Sequence, residues 1–189
     1  SPFILRRLKT DPEIHKELPE KLEMKSYCWL TPEQVSLYQV VMDQMLQGLE
    51  GSSGGRRRGQ IMAGLTSLKQ ICNHPVLYLR DQSRLEGRSG KLRRLFELTE
   101  AIMEAGEAAL IFTQYARMGD LLVRALEEIS GVKPLFLHGG VRAADRAKMI
   151  SSFQDGSGPP LFILSLKAGG VGLNLTRANH VIHYDRWWN

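Results

Sequence analysis

The sequence contains few cysteines and no long apolar run, and each absence excludes a class of protein. Only two of its 189 residues are cysteines. Cys28 and Cys72 lie far apart and outside any C-x-x-C motif, so neither a disulfide framework nor a structural zinc site is expected. Apolar runs such as 108–112 and 161–166 are too short to cross a bilayer, and the first residues lack a signal-peptide pattern. We therefore expect an intracellular protein without membrane contact, in a reducing compartment.

Several nucleotide-binding motifs are also missing. No G-x-x-x-x-G-K-[ST] phosphate loop occurs, and no acidic cluster follows a strand in the way that a Mg²⁺-binding motor motif would. The segment 170–175 has two glycines of a dinucleotide fingerprint but lacks the third. Asp185 lies closer to it than the usual ribose-binding acid, which follows by about 20 residues. We therefore expect that the chain does not hydrolyse ATP alone and is not a Rossmann dehydrogenase.

Positive charge is concentrated in one part of the sequence. The formal net charge is +5, and residues 51–94 contain 10 basic and 2 acidic side chains. Residues 96–189 are nearly neutral. A basic region beside a neutral one favours an anionic partner, nucleic acid first, gripped from the amino-terminal side. The alternative is an ordinary solvated surface of lysine and arginine.

Residues 1–90 are predicted to form a linker and a helical accessory region. The segment 31–50 begins with a capping box and a proline in its first turn, and apolar residues then recur at helical spacing. A second helix is expected over 60–73, where it ends before a His-Pro pair that disfavours helical geometry. The segment 25–30 is a candidate edge strand.

The segment 51–59, GSSGGRRRG, lies between these two helices. Its glycines and serines predict a flexible loop, and three adjacent arginines cannot be buried together. Arg56, Arg57 and Arg58 are therefore either a grip on DNA, which the local charge excess favours, or solvated side chains.

From residue 91 onward, helices and strands alternate. Four continuous apolar runs are predicted strands: 108–113, 133–138, 160–165 and 180–185. Helices are predicted over 91–104, 116–129 and 143–153. Continuous apolar strands separated by crossover helices are typical of a parallel sheet that is covered on both faces. The sequence thus predicts a doubly wound α/β domain over 91–189.

Glycines and polar residues follow each predicted strand. Ligands of parallel sheets bind beyond the carboxyl ends of the strands, and glycine there lets backbone N–H groups approach phosphate oxygens. The candidate residues are Thr113, Gln114, Gly139, Gly140, Ser165, Lys167, Gly172, Asn174 and Trp188. The pattern predicts phosphate-binding turns along one edge of the sheet.

Seven segments resemble the second, C-terminal motor lobe of Swi/Snf-type ATPases, which are superfamily-two DNA translocases. They are FILRRLK (3–9), ELPEK (17–21), QICNHP (70–75), SGKLRRL (89–95), ALIFTQY (109–115), LHGG (137–140) and SLKAGGVGLNLTRANHVIHYDRWWN (165–189). The resemblance covers essentially the whole chain and is nearest in form to prokaryotic members. It implies a RecA-like lobe of the P-loop NTPase type, with a parallel sheet flanked by helices, truncated before the family's motif VI.

The resemblance also implies roles for the residues at the strand ends. Gly172 and Asn174 would contact ATP. The DNA backbone would be contacted by Thr113, Gln114, Gly139, Gly140, Ser165, Lys167 and Trp188. Leu166 departs from the family pattern, in which many members have threonine. ATP and Mg²⁺ are the implied cofactors, with Mg²⁺ held mainly by the first lobe. No catalytic or metal-binding residue is assigned in this chain, because the phosphate loop and the arginine fingers lie elsewhere.

Three kinds of partner follow from the resemblance: double-stranded DNA, the N-terminal RecA-like lobe of the same parent chain, and a protein or nucleoprotein substrate. The parent would act in the cytoplasm, associated with the nucleoid, in a prokaryote and in the nucleus of a eukaryote. Two alternatives remain open. One is a noncatalytic module that binds nucleic acid or protein and keeps a motor-like fold, and the other is a lobe of a strand-separating helicase.

Overall fold

The computed structural model describes residues 22–50, 53–169 and 172–185, and these form seven helices and four strands. The helices are α1 (Pro32–Leu49), α2 (Gly54–Asn73), α3 (Pro75–Leu79), α4 (Gly90–Glu104), α5 (Ala116–Ser130), α6 (Ala143–Gln154) and α7 (Leu166–Gly169). The strands are β1 (Ala109–Thr113), β2 (Leu135–Leu137), β3 (Leu161–Ser165) and β4 (His180–His183). Helices separate successive strands, as the alternation in the sequence predicts.

The four strands form one parallel sheet in the order β2-β3-β1-β4. Strand β1 is central, since Ala109 pairs with Leu161 on one side and with His180 on the other. Every residue of β3 is buried, because helices cover both faces of the sheet. The predicted parallel sheet flanked by helices is confirmed.

The apolar residues of β1 and β3 alternate between two cores, one on each face of the sheet. Ile111 and Ile163 pack with residues of α4 and α5. Leu110 and Phe162 point the other way and pack with Phe153 of α6. All five side chains are at most 8% exposed, and burial of each contributes about 1.5–3 kcal/mol. The continuous apolar runs in the sequence are therefore explained by a sheet that is buried on both faces.

Helices α1 and α2 pack against each other and form an accessory hairpin. Helix α1 begins with the predicted capping box: Thr31 Oγ1 accepts the Gln34 N–H at 3.2 Å, and Gln34 Oε1 accepts the Thr31 N–H at 3.1 Å. The helices approach closely at Gly64, where a Cβ atom would lie 2.5 Å from Met45 Sδ. Their shared apolar cluster consists of Val41, Leu68 and Ile71.

The loop predicted over 51–59 is wrong from residue 54 onward. Helix α2 begins at Gly54, so Arg56, Arg57 and Arg58 lie in its first turns. Arginine has a high helix propensity, and packing of α2 against α1 outweighs the low propensity of the glycines. The second predicted helix therefore begins earlier than expected, and its predicted end is confirmed.

The edge strand predicted at 25–30 is also wrong. The segment has no strand pairing, and the side chains of Tyr27 and Trp29 are 89% and 87% exposed. It contacts α4 instead, where Arg94 Nε donates to Ser26 Oγ at 3.0 Å. A favourable β pattern yields a strand only where a neighbouring strand supplies the pairing partners.

Candidate functional site

The carboxyl ends of the four parallel strands lie along one edge of the sheet, here called the strand-end edge. In the register of β1 and β3, Thr113 is the partner of Ser165. Gln114 directly follows Thr113, and Lys167 lies two residues beyond Ser165 in α7. Strand β2 ends beside β3, which places Gly139 at the same edge. The strand order thus brings together residues that are far apart in the sequence.

Lys167, Gly139 and Gly140 are exposed at the strand-end edge. The turn that holds the two glycines is ordered by His138, whose Nδ1 accepts the Gly140 N–H at 3.2 Å. The His138 ring packs against Phe136 with 4.8 Å between the ring centroids. An exposed ammonium group near an exposed glycine turn suits an anionic ligand.

Thr113 and Ser165 lie at the same edge but are buried, with 0% and 6% exposure. Thr113 Oγ1 donates to Asp185 Oδ2 at 2.7 Å and accepts the Tyr115 N–H at 3.3 Å. The Thr113 hydroxyl is therefore engaged inside the protein, where it orders the turn after β1.

The segment 172–176 alternates between the core and solvent. Leu173 and Leu175 pack against the core on the α6 face of the sheet, whereas Gly172 and Asn174 are exposed. Gly172 has φ +48°, in the left-handed region that favours glycine. The two leucines anchor the segment and leave the Gly172 backbone and the Asn174 amide accessible. These groups fit the hydrogen-bonding edge of a nucleotide.

Arg56, Arg57 and Arg58 do not join the strand-end edge. Helix α2 has 20 residues, and its last residue, Asn73, reaches this edge, so the arginines lie about 24 Å away along the helix axis. They are exposed, and the first turn of α2 contains no acidic residue. Together they form a basic tip on the accessory hairpin. Trp188, also predicted to contact DNA, lies outside the described residues.

Sequence reasoning assigned no role at the strand-end edge to Asp185, Asn73 or Lys91, which help to organise it. Asp185 follows β4 and is 5% exposed. Its Oδ1 accepts the Gln114 N–H at 2.6 Å, and its Oδ2 accepts from Asn73 Nδ2 at 3.1 Å as well as from Thr113. Asn73 Oδ1 in turn accepts from Lys91 Nζ at 2.9 Å. We call these five residues the Asp185 network.

The Asp185 network had one detectable signal in the sequence. Asn73 ends the helix predicted over 60–73 and Asp185 ends the strand predicted over 180–185, and polar groups that the fold buries there need hydrogen-bond partners. The sequence does not say which partners these are, because 112 positions separate the two residues.

Further contacts tie the end of α2 to β4 and α4. Tyr184 is buried, which raises the pKa of its hydroxyl, and this hydroxyl donates to the Asn73 carbonyl at 2.8 Å. Ser89 Oγ donates to the same carbonyl at 2.7 Å. Burial lowers the pKa of Lys91, and the charge of Asp185 partly opposes this by raising it. The partly buried ammonium of Lys91 and the buried carboxylate of Asp185 thus compensate each other through Asn73.

The described residues place an exposed ammonium, an exposed glycine turn and side-chain amides at the strand-end edge, and such groups suit an anionic ligand. Among the described residues, no group of three or more His, Cys, Asp or Glu side chains is arranged to hold a metal ion. A helix long and apolar enough to span a membrane is likewise missing from the described part of the chain.

Two protein-family profiles match the chain. A profile described as the helicase conserved C-terminal domain matches residues 90–189, and one described as the SNF2-related domain matches residues 1–77. The chain is also 48% identical over 190 residues to YwqA of Bacillus subtilis (strain 168), whose name includes the words ATP-dependent helicase/translocase. This match covers 100% of the chain and 20% of YwqA, so the chain spans about a fifth of that relative.

Two solved structures from Sulfolobus solfataricus share the fold. The C-terminal domain of a SWI2/SNF2 ATPase is 39% identical, with a TM-score of 0.82 over 90% of this chain and 74% of that one. The SWI2/SNF2 ATPase core in complex with dsDNA is 39% identical, with a TM-score of 0.84 over 100% of this chain and 40% of that one. The fold, the family profiles and these structures point to the same family. The chain belongs to the Swi/Snf family of helicase-like ATPases and corresponds to their C-terminal RecA-like lobe.

Proposed function

We propose that this chain supplies half of the DNA track and half of the ATP site of an ATP-dependent translocase that moves along double-stranded DNA. Residues 91–189 would be the motor lobe, and residues 1–90 a linker and accessory region. The observation that carries the proposal is the exposed group formed by Lys167, Gly139 and Gly140 at one edge of the sheet. This edge is where parallel sheets bind ligands.

The DNA contacts are proposed to be with backbone phosphates. Lys167 contributes a mobile positive charge, and Gly139 and Gly140 allow close approach because they have no side chains. Gln114 contributes a side-chain amide. Such contacts position the protein on DNA without reading its sequence. The Sulfolobus ATPase core, which was solved in complex with dsDNA, supports duplex DNA as the partner.

The sequence predicts DNA contacts for three other residues, and the proposed role differs between them. Because Thr113 and Ser165 are buried, we assign them to ordering the strand ends rather than to direct contact. For Trp188, we propose a contact with the DNA backbone on the basis of the family resemblance.

The nucleotide contacts are proposed for Gly172 and Asn174, which would bind and orient ATP from this side of the interlobe cleft. Bound ATP supplies the phosphoanhydride bond whose hydrolysis drives stepping. We assign the phosphate loop and the main Mg²⁺ ligands to the N-terminal lobe of the parent chain, and the isolated chain is therefore expected to be inactive. Closure and reopening of the two lobes would shift the grip on DNA.

Replacing Lys167 by alanine in the intact parent tests the DNA track. Removing one phosphate contact should reduce the slope of log affinity against log salt by about 0.9. We expect DNA-stimulated ATPase activity at subsaturating DNA to fall about ten-fold, since charge-assisted contacts are worth more than neutral ones. ATPase assays over a range of duplex and salt concentrations measure both effects.

Lys133→Ala is the matched control for this experiment. Lys133 is exposed and precedes β2, at the opposite edge of the sheet, where its Nζ lies 3.5 Å from Glu127 Oε2. Its removal should leave the activity and the salt slope near those of the wild type. Full DNA-stimulated activity in the Lys167→Ala parent would remove Lys167 from the track.

Assays of the same parent protein distinguish the proposed translocase from a strand-separating helicase and from a noncatalytic module. Strand-displacement assays distinguish a helicase from a translocase that does not unwind DNA, and DNA binding without any stimulated ATPase would indicate a noncatalytic module. We place the parent with nucleoid DNA in the cytoplasm if it is prokaryotic and in the nucleus if it is eukaryotic. A protein or nucleoprotein bound to the DNA is the proposed object of translocation.

A further inference from the structure

We propose that Asp185 is a positioning residue for the DNA track, in which its carboxylate holds the turn at Gln114 in the geometry that grips the backbone. This inference rests on the proposed function above. Asp185 lies two residues after β4 and Gln114 directly follows β1, and β4 and β1 pair in parallel through Phe112 and His183. The carboxylate thus joins the two strand ends directly.

Three donors converge on the carboxylate of Asp185. Oδ1 accepts the Gln114 N–H at 2.6 Å, and Oδ2 accepts from Thr113 Oγ1 at 2.7 Å and from Asn73 Nδ2 at 3.1 Å. The side chain is 5% exposed, so water does not replace these partners at low cost. A buried carboxylate with three donors has one preferred orientation.

The turn after β1 is held from two sides as a result. Gln114 donates its backbone N–H to Asp185, and Tyr115 donates its backbone N–H to Thr113 Oγ1 at 3.3 Å. The same Thr113 hydroxyl donates to Asp185. The backbone that carries Gln114, and with it the start of α5, is therefore fixed by one acidic side chain and one hydroxyl.

The network also reaches the accessory hairpin. Asn73 is the last residue of α2, and its amide bridges Asp185 and the Lys91 ammonium, which is 2.9 Å from Asn73 Oδ1. Because the Asn73 amide must donate to one partner and accept from the other, it cannot rotate to suit a changed residue 185. The position of the turn is thus coupled to the end of α2.

An amide at position 185 cannot reproduce this arrangement. Asp185→Asn keeps the shape of the side chain but replaces one acceptor oxygen by an NH₂ group. That NH₂ group must face either the Gln114 N–H or the Asn73 amide, and both are donors. One donor pair therefore clashes, and the turn should shift while the surrounding core remains intact.

The test compares Asp185→Asn, Thr113→Val and Thr113→Ser in the intact parent. We expect Asp185→Asn to raise the apparent KM for duplex DNA about ten-fold in the ATPase assay, the effect of losing about one charge-assisted hydrogen bond. We also expect fewer base pairs moved per ATP. Thr113→Val, which removes the hydroxyl at constant volume, should act in the same direction, whereas Thr113→Ser should rescue both readouts.

A purely structural role would give a different pattern. It would lower the melting temperature and the amount of active enzyme but leave the KM for DNA and the step per ATP unchanged, and this result would overturn the proposal. If Asp185→Asn does not fold, the Thr113→Val and Thr113→Ser pair decides on the same criteria.

Hydrogen exchange separates failure of this inference from failure of the proposed function. In the parent without DNA, Asp185→Asn should increase exchange about ten-fold or more in a peptide covering 113–115, while strand residues 109–112 remain protected. Unchanged exchange at 113–115 would refute the proposal that Asp185 orders this turn, even if the parent translocates on DNA. Absence of DNA-stimulated ATPase in the wild-type parent would refute the proposed function instead.

Discussion

Replacement of Gly119 by alanine tests how closely α5 packs against β2. A Cβ atom at this position would lie 2.1 Å from Phe136 Cζ and 2.4 Å from Phe136 Cε2. Because carbon atoms pack at about 3.5–4 Å, the ring must move by more than about 1 Å. Overpacking of this kind costs about 1–3 kcal/mol, and alanine in a helix recovers about 1 kcal/mol relative to glycine. We expect a net loss of up to about 2 kcal/mol of unfolding free energy.

The displaced ring also supports the strand-end edge. Phe136 packs on His138, which accepts the N–H of Gly140 in the exposed glycine turn. The Gly119→Ala change should therefore weaken DNA binding by the parent in addition to lowering stability, although residue 119 itself is buried.

Urea unfolding of the chain measures the stability change, with Gly48→Ala as the control. Gly48 also lies in a helix, but a Cβ atom there meets only Gln60 Nε2, at 3.6 Å. Alanine at this site should stabilise the chain by up to about 1 kcal/mol. If Gly119→Ala raises the unfolding free energy as Gly48→Ala does, the Phe136 ring is not confined and the reasoning is refuted.

Two further predictions concern charge and pH. Reversing the three arginines at 56–58 to glutamate should weaken duplex binding and reduce the log–log salt slope by about 0.9 for each phosphate that the arginines neutralise. Fluorescence anisotropy at several salt concentrations measures this slope. An unchanged slope would show that the arginines of the basic tip are solvated and do not contact DNA. The second prediction is that acid destabilises the chain through His74, because burial lowers its pKa from 6.5. Its Nδ1 accepts a backbone N–H and its Nε2 bonds the Leu85 carbonyl, so the neutral ring is the one that caps α3. The unfolded histidine takes up a proton first, so this stabilisation is complete above about pH 6.5 and declines as the pH falls below it. Urea unfolding between pH 7 and 5 should show a shallower decline for His74→Asn, and parallel curves would contradict the prediction.

Much of the fold was predictable because local patterns and tertiary burial agree. The capping box at Thr31 fixes the start of α1 through contacts within one turn. The apolar runs of β1 and β3 need only helices on both faces, and any parallel arrangement of these strands places Thr113 and Ser165 at the same edge. For that reason the sequence predicts which residues lie at this edge, although it does not say which of them are exposed.

Two elements were not predictable from local pattern. Arg56, Arg57 and Arg58 lie in a sequence rich in glycine and serine, and only packing of α2 on α1 makes it helical. The segment 25–30 is rich in aromatic and apolar residues but has no partner strand within the described residues.

The sequence by itself determined the order of helices and strands, the parallel sheet and the residues that follow each strand, because these depend on periodicity and on local backbone chemistry. Only the tertiary structure decided which of those residues face outward and which are held inside. Thr113 is buried and Lys167 is exposed, and the Thr113 hydroxyl donates to Asp185, which is more than 70 residues away in the chain. A buried carboxylate must gather donors wherever the fold supplies them, and their identity is a property of the folded chain.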